Sequence, residues 1–384
     1  MAEEKTNLEK QLKNLFPRLS EIFASANINF LVGSGISKPF LPTLGNIEKD
    51  INTAIQKQDL DNQVKGYTEY FKKVMFPNKN IISGNFSEEN TKEDFEKIHK
   101  DYKNFLLTLS QLILDRKTTV IGKQVNIFTT NIDIFFETVF EDLELHYNDG
   151  FLGKMNPVFD LSNFKQSIIQ RSHHFDNRSE IPVFNLLKIH GSVNWKYKES
   201  EKDNPNRKIH LSSDLSHLNE DLLTKTNQNF IDEYKKNILV VNPEDAKFSE
   251  TVLNKYYYEL LRSYSSELER ENSVLFVIGF SMADQHIQEI TKRAARSNPT
   301  LQIYIFLHSK EENKGEFDTL METQKNPNIK IIQPDWEGKS HKYNYNLETV
   351  TNEVFKKINS SKKSDLKFLT EKVVKINSNS KENE

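Results

Sequence analysis

Phe30-Leu31-Val32-Gly33-Ser34-Gly35-Ile36-Ser37 is the stretch that decides the fold of this chain. The apolar run from Ile28 to Val32 stops at two glycines and a serine, the pattern of a short buried strand ending in a sharp turn. Glycine lets the backbone bend tightly and approach a pyrophosphate. The free N–H groups and dipole of a following helix then favour the negative charge. Lys38 and Pro39 stand where the usual dinucleotide fingerprint has its third glycine, so an ordinary βα turn suits these residues equally well.

Three later segments repeat the pattern. Phe128-Thr129-Thr130-Asn131-Ile132-Asp133 closes an apolar run over 125–129, and the carboxyl ends of strands in an open parallel sheet face the ligand crevice. Asn131 or Thr130 would also serve as a helix N-cap. Leu187-Lys188-Ile189-His190-Gly191-Ser192, with Trp195 close behind, places a histidine at the end of a strand over 184–189. A histidine there suits a general base or proton shuttle, although a lone one is more often a partly buried core residue. Val277-Ile278-Gly279-Phe280-Ser281-Met282-Ala283-Asp284 is again strand, glycine and polar turn, with Asp284 placed to cap the next helix. Singly, each segment has a bland reading. Four in this order, each at the C-terminal end of a strand, make coincidence a poor account.

The intervening sequence predicts an α/β fold: a Rossmann-like, doubly wound, mostly parallel sheet. Helical spacing of Leu8, Leu12, Leu15, Phe16, Leu19, Ile22 and Phe23 predicts an N-terminal helix within 1–26. The domain proper runs over 27–335. It carries a helical insertion at about 50–120, broken by a loop over 76–87, and a polar insertion at about 196–236 lying outside the core. Residues 148–181 are loop-rich and resist assignment. Further strands are expected at 238–241, 274–279, 302–307 and 330–333. Residues 336–384 read as a last helix near 347–358 and a polar, disordered tail.

Composition narrows the function. The 384 residues include 26 Phe and 13 Tyr, enough for a sizeable core, and 36% are hydrophobic. A net charge of −3 gives no global basic field, so contact with nucleic acid would need a local patch. With no cysteine, disulfides and Cys-type zinc sites are ruled out. The polar start Met-Ala-Glu-Glu-Lys is unlike a signal peptide, and no apolar run approaches the roughly 20 residues of a membrane helix, so a soluble, cytoplasmic protein is expected.

The ordered set of motifs resembles the sirtuin superfamily, over roughly residues 27–335 as scattered motifs. That family's Gly-Ala-Gly-x-Ser is matched by Gly33-Ser34-Gly35-Ile36-Ser37. Its Thr-Gln-Asn-x-Asp is matched by Thr129-Thr130-Asn131-Ile132-Asp133, with Thr130 in the glutamine position. Its His-Gly is His190-Gly191, and its late Gly-x-Ser is Gly279-Phe280-Ser281. Deacylating sirtuins carry four zinc-binding cysteines and an Asp-Phe-Arg stretch. Here there is no cysteine, the helical insertion stands in place of the zinc module, and the stretch reads Leu41-Pro42-Thr43-Leu44-Gly45-Asn46-Ile47. This version is more similar to the sirtuin-like effectors of bacterial antiphage defence, which deplete NAD and in some systems act with a HerA-type DNA-translocating ATPase.

The resemblance implies NAD as substrate, no prosthetic group, no metal, and a homo-oligomer. Asn131, His190 and Asp133 would be catalytic; Gly33, Ser34, Gly35, Ile36, Ser37, Pro42, Thr130, Gly279, Ser281 and Asp284 would hold the dinucleotide. Asn131 would hold water or ribose without adding charge, Asp133 would orient the nicotinamide end, and His190 would accept a proton, an imidazole pKa of about 6.5 suiting neutral pH. NAD-dependent deacylation or ADP-ribosyl transfer is the alternative enzyme. A silent NAD- or ADP-ribose-sensing scaffold is the alternative outside enzymology. A nuclease is disfavoured: His173-His174-Phe175-Asp176 sits in a polar loop.

Overall fold

The computed structural model describes residues 15, 17–43, 45–86, 88–116, 120–198, 207–219, 222, 228–242, 254–308, 327–332 and 344–358. The predicted tail beyond 358 and most of the predicted N-terminal helix lie outside the described residues; 17–25 are helical.

Seven strands form the central sheet: β1 (Asn27–Val32), β2 (Gln124–Thr129), β3 (Tyr147–Asn148), β4 (Val183–Lys188), β5 (Ser273–Ile278), β6 (Gln302–Phe306) and β7 (Ile329–Ile332). Their order is β7-β6-β5-β1-β2-β4-β3, and every pair is parallel. The chain builds outward from β1 through β2 to β4 and β3. It then returns to the other flank of β1 for β5 to β7, so the winding reverses at the β1–β5 junction. In such sheets the crevice beyond the strand ends at this junction is the ordinary ligand site.

Strands buried on both faces explain the apolar runs. β4 and β5 are buried throughout. Alternate side chains serve two cores. Phe30, Val32, Val125, Ile127, Phe276 and Ile278 face the helices Glu89–Leu114 and 17–25 and the closing helix from Leu347. Leu31, Phe128, Leu187, Leu275 and Val277 face the helix Lys255–Glu269. The first core is aromatic at its centre: Phe30 meets Phe105 edge-on at 5.4 Å and Phe276 at 5.2 Å, and Phe355 meets Phe276 edge-on at 5.5 Å. Such pairs add about 0.5–1.5 kcal/mol each beyond the area they bury.

A row of amides crosses the second face. Asn29, Asn126 and Asn185 pair in register on β1, β2 and β4. Asn126 Nδ2 donates to Asn29 Oδ1 at 2.8 Å, and Asn185 Nδ2 donates to Asn126 Oδ1 at 2.8 Å. Asn29 Nδ2 donates to the Val274 carbonyl of β5 at 3.2 Å.

Several expectations are corrected. The run Ile238–Val241 forms no ladder strand. Val240 makes a single antiparallel bridge with Gly191, and Val241 N donates to the His190 carbonyl at 2.8 Å, so this segment braces the His-Gly turn instead of extending the sheet. The predicted loop over 76–87 contains the helix Asn78–Ser83, ended by left-handed Gly84. Where it is described, the polar stretch 196–236 is not outside the core: Leu215, Leu218, Phe230 and Tyr234 are buried, their apolar faces diluted in sequence by charged neighbours. Residues 148–181, which resisted assignment, supply two strands of a small antiparallel sheet (Phe151–Leu152, Val158–Phe159, Ile209–Leu211, Trp195–Tyr197) and a hairpin of Ile169–Arg171 with Arg178–Glu180.

Candidate active site

The four sequence motifs all leave the sheet at the same end. Val32 pairs with Thr129 and with Ile278, and Thr129 pairs with Lys188, so Gly33, Thr130, Ile189 and Gly279 each begin just past the last shared rung.

At the β1–β5 junction the two glycine turns interlock. Gly33 N donates to the Ile278 carbonyl at 3.1 Å and Gly35 N to the Gly279 carbonyl at 2.9 Å. A Cβ on Gly33 would lie 2.6 Å from Gly279 O, and one on Gly35 would lie 2.8 Å from it. Gly279 has φ +62°, and a Cβ there would meet Ile36 Cγ2 at 2.6 Å. These glycines are required by the close approach of the two turns. Directly after Gly33, Ser34–Ser37 forms one 3₁₀ turn. Lys38 is extended, as the residue before a proline prefers, and the next helix starts at Gly45. Pro42, Ser34 and Thr130 are half-buried at this end of the sheet, and Ser281 is exposed, its Oγ accepting from Ala283 N at 3.3 Å.

The turn after β2 is pinned first by the Thr129 side chain. Thr129 Oγ1 donates to the Val32 carbonyl at 3.0 Å and accepts from Asn131 N at 3.0 Å. Ser37 then joins this turn to the glycine turn. Its hydroxyl donates to Asp133 Oδ2 at 2.9 Å, Asn131 Nδ2 donates to Ser37 Oγ at 3.3 Å, and the Tyr102 hydroxyl lies 3.0 Å from it. Asn131, Asp133, Ser37 and Tyr102 are all buried. Asn131 Oδ1 is buried with no hydrogen-bond partner. Burial raises the Asp133 carboxyl above its ordinary range, partly offset by Lys188 and by the N–H of Phe135. Burial likewise holds the Tyr102 phenol well above its ordinary value, with the Asp133 charge adding to the effect.

Beneath the strand ends, Lys188 ties three elements together. Its ammonium donates to Glu137 Oε1 at 2.8 Å, to Ser192 Oγ at 2.7 Å and to the Asp133 carbonyl. Val193 N donates to the Ile132 carbonyl at 3.0 Å, stitching the His-Gly turn to the Asn131 turn. Gly191 has φ +77°, and a Cβ there would fall 2.2 Å from Leu239 O. His190 Nε2 lies 3.2 Å from Asp284 Oδ2, while Asp284 Oδ1 caps the helix Gln285–Ser297 by accepting from His286 N and Ile287 N.

The expected site residues thus fall into three joined groups: Gly33, Gly35, Ile36 and Gly279; Ser37, Asn131 and Asp133; and His190 with Asp284. Sequence reading missed Tyr102, Lys188, Glu137 and Ser192. Tyr102 lies on the apolar face of an amphipathic helix, where an aromatic reads as core. Lys188 carried a signal, a lysine in a strand whose only other polar residue is Asn185. Among the described residues, no three His, Asp or Glu side chains are grouped as metal ligands would be, and no helix is long and apolar enough to cross a membrane.

A doubly wound parallel sheet with polar turns converging at its switch point defines a nucleotide-binding type of α/β protein. The SIR2-like domain family model matches residues 125–332, more than half of the chain, and the chain belongs to that family. The match begins at β2, so the glycine turn and the helices up to Leu114 lie before it. No curated protein matches the chain. Among solved structures, one described under the structural basis for the mechanism and regulation of Sir2 enzymes is 10% identical at a TM-score of 0.41, covering 91% of this chain and 98% of that one. A Sir2 mutant with a p53 peptide and NAD is 13% identical at a TM-score of 0.41, covering 89% and 98%.

Proposed function

We propose that this chain is an NAD hydrolase that cleaves the nicotinamide–ribose bond, releasing nicotinamide and ADP-ribose. Membership of a SIR2-like family points to NAD-dependent chemistry. The observation that carries the narrower reading is the buried, unpartnered Oδ1 of Asn131 at the crevice end of the sheet, with the His190–Asp284 pair on neighbouring turns. Breaking the bond develops an oxocarbenium-like ribose and expels a neutral base. The glycine turns would let the pyrophosphate approach the backbone, and Asn131 would accept a hydrogen bond from water or a ribose hydroxyl. His190 would take the proton from that nucleophile, held in orientation by Asp284. The buried Asp133 would lend negative charge near the cationic ribose and nicotinamide.

Site roles, domain limits and partners follow from this reading. The catalytic domain is taken as 27–335, with the helices between β1 and β2 standing in place of a zinc module as lid or assembly surface. The defence-effector role, a homo-oligomer and a HerA-type ATPase partner belong to the same proposal. The test is incubation of the purified chain with NAD, alone and with the product of its genomic neighbour, and identification of the products. Wild-type protein should release nicotinamide and ADP-ribose with no acylated peptide present, whereas Asn131→Ala and His190→Ala should lose on the order of 100- to 10,000-fold in rate while remaining folded. A His190→Ala protein that consumes NAD at the wild-type rate removes His190 from the mechanism.

A further inference from the structure

The orientation of the Asn131 amide is decided by one hydroxyl. Ser37 Oγ has one proton and two lone pairs. It donates that proton to Asp133 Oδ2, 2.9 Å away. Both lone pairs are then filled. The Tyr102 hydroxyl, 3.0 Å away, has to be the donor of its bond, and Asn131 Nδ2 donates at 3.3 Å. A reversed amide would place Oδ1 against the Ser37 oxygen, whose one proton is already committed to Asp133. Oδ1 is thus turned away from the network, buried and without a partner. A group that occupies this position has to bring its own O–H or N–H.

We propose that Tyr102 is a positioning residue: through Ser37 it holds Asn131 as a hydrogen-bond acceptor aimed at the reacting water or hydroxyl. The identity of that reaction rests on the NAD-hydrolase reading; the amide orientation does not. Tyr102 is fully buried, its ring stacked on Phe135 at 5.2 Å and meeting Phe136 edge-on at 4.9 Å, so the hydroxyl cannot swing out of the network. It comes from the helix Glu89–Leu114, between β1 and β2 and ahead of the segment that matches the family. The orienting device therefore belongs to the part of the chain inserted before β2, and any displacement of that helix reaches the crevice through one oxygen.

The experiment compares wild type, Tyr102→Phe, Ser37→Ala and the double variant for NAD turnover, KM and NAD binding, with thermal unfolding as a check on folding. Tyr102→Phe keeps both ring contacts and removes only the hydroxyl. Its kcat should fall on the order of 100-fold, as expected for a slightly misplaced reacting group, with KM and NAD affinity near wild type. The double variant should be no slower than Ser37→Ala, because both changes act on one path. Wild-type kcat in Tyr102→Phe, a loss confined to KM, or losses that multiply in the double variant overturn the proposal. A second measurement needs no turnover: hydrogen exchange of the Asn131 side-chain amide, assigned through its disappearance in Asn131→Asp. It should accelerate in Tyr102→Phe, and unchanged exchange overturns the proposal. A wild-type protein that leaves NAD intact overturns the hydrolase reading alone, and amide exchange then decides on Tyr102.

Discussion

Nε2 of His190 lies 3.2 Å from Oδ2 of Asp284, so the turn after β4 is coupled to the N-terminus of the helix that follows β5. The two carboxylate oxygens do different jobs: Oδ2 faces the imidazole while Oδ1 accepts the cap bonds from His286 N and Ile287 N. Asp284→Asn can keep the cap and loses the charge facing His190. Asp284→Ala loses both. Thermal unfolding should therefore show Asp284→Ala about 1 kcal/mol less stable than Asp284→Asn. NAD turnover should fall at least about tenfold in both, within the range of a disturbed base–orienter contact. Equal stability with unimpaired turnover in Asp284→Asn would break the link.

Gly279→Ala should destabilise the protein by about 1–3 kcal/mol, because a non-glycine residue there is strained and its Cβ meets Ile36. Gly35→Ala should also destabilise, by forcing the two turns apart where its Cβ lies 2.8 Å from Gly279 O. Both should weaken NAD binding, measured by calorimetry. Gly45→Ala is the control, since nothing lies within 4 Å of its added Cβ and it opens a helix. Its unfolding midpoint should match or exceed wild type.

Lys188→Met should cost about 3–5 kcal/mol in chemical denaturation, because it leaves the Glu137 carboxylate buried without its partner. Adding Glu137→Gln to Lys188→Met should restore part of that loss. If the double variant is no better than the single one, the charge is not what the site has to balance.

Burial, with Glu348 adding repulsion, raises the Asp101 carboxyl from 3.8 to about 6, while Lys97 and Lys100 oppose the shift. The folded state thus holds this proton more tightly than the unfolded chain. The stabilisation is fully present below 3.8 and is lost as pH rises through about 6. Asp101→Asn, neutral throughout, should therefore unfold later than wild type near about pH 8 and almost alongside it near about pH 4. At about 1.4 kcal/mol per pKa unit, the gain at the higher pH is at most about 3 kcal/mol. Differential scanning calorimetry across that range would show it, and a gain at the acidic end instead would contradict the assigned direction.

The strands that carry the site were legible because burial on both faces leaves mainly apolar runs, as in Val274–Ile278 and in Ile28–Val32, where Asn29 is the one polar residue. The turns were legible because glycine and polar residues interrupt those runs abruptly. Ile238–Val241 misled for the same reason in reverse: an apolar run of strand length was satisfied by bracing His190 and Gly191. Tyr102 and Ser37 meet although 65 residues separate them, a contact that no local pattern announces. Phe230 and Tyr234 were hidden because a helix buries a stripe, and the charged residues between them dominate its composition.

Asn29, Asn126 and Asn185 stand on one rung, hydrogen-bonded from strand to strand. Counting five residues on from each arrives at Ser34, Asn131 and His190. Slipping one strand by a single residue would strand its amide and turn its whole set of side chains over to the other face. It would also move that strand's crevice residue by about 3.3 Å along the axis. The amide row therefore acts as a levelling line for the sheet: it sets three separate turns to a common height, so their alignment is inherited from the middle of the strands and does not wait for a ligand to draw them together.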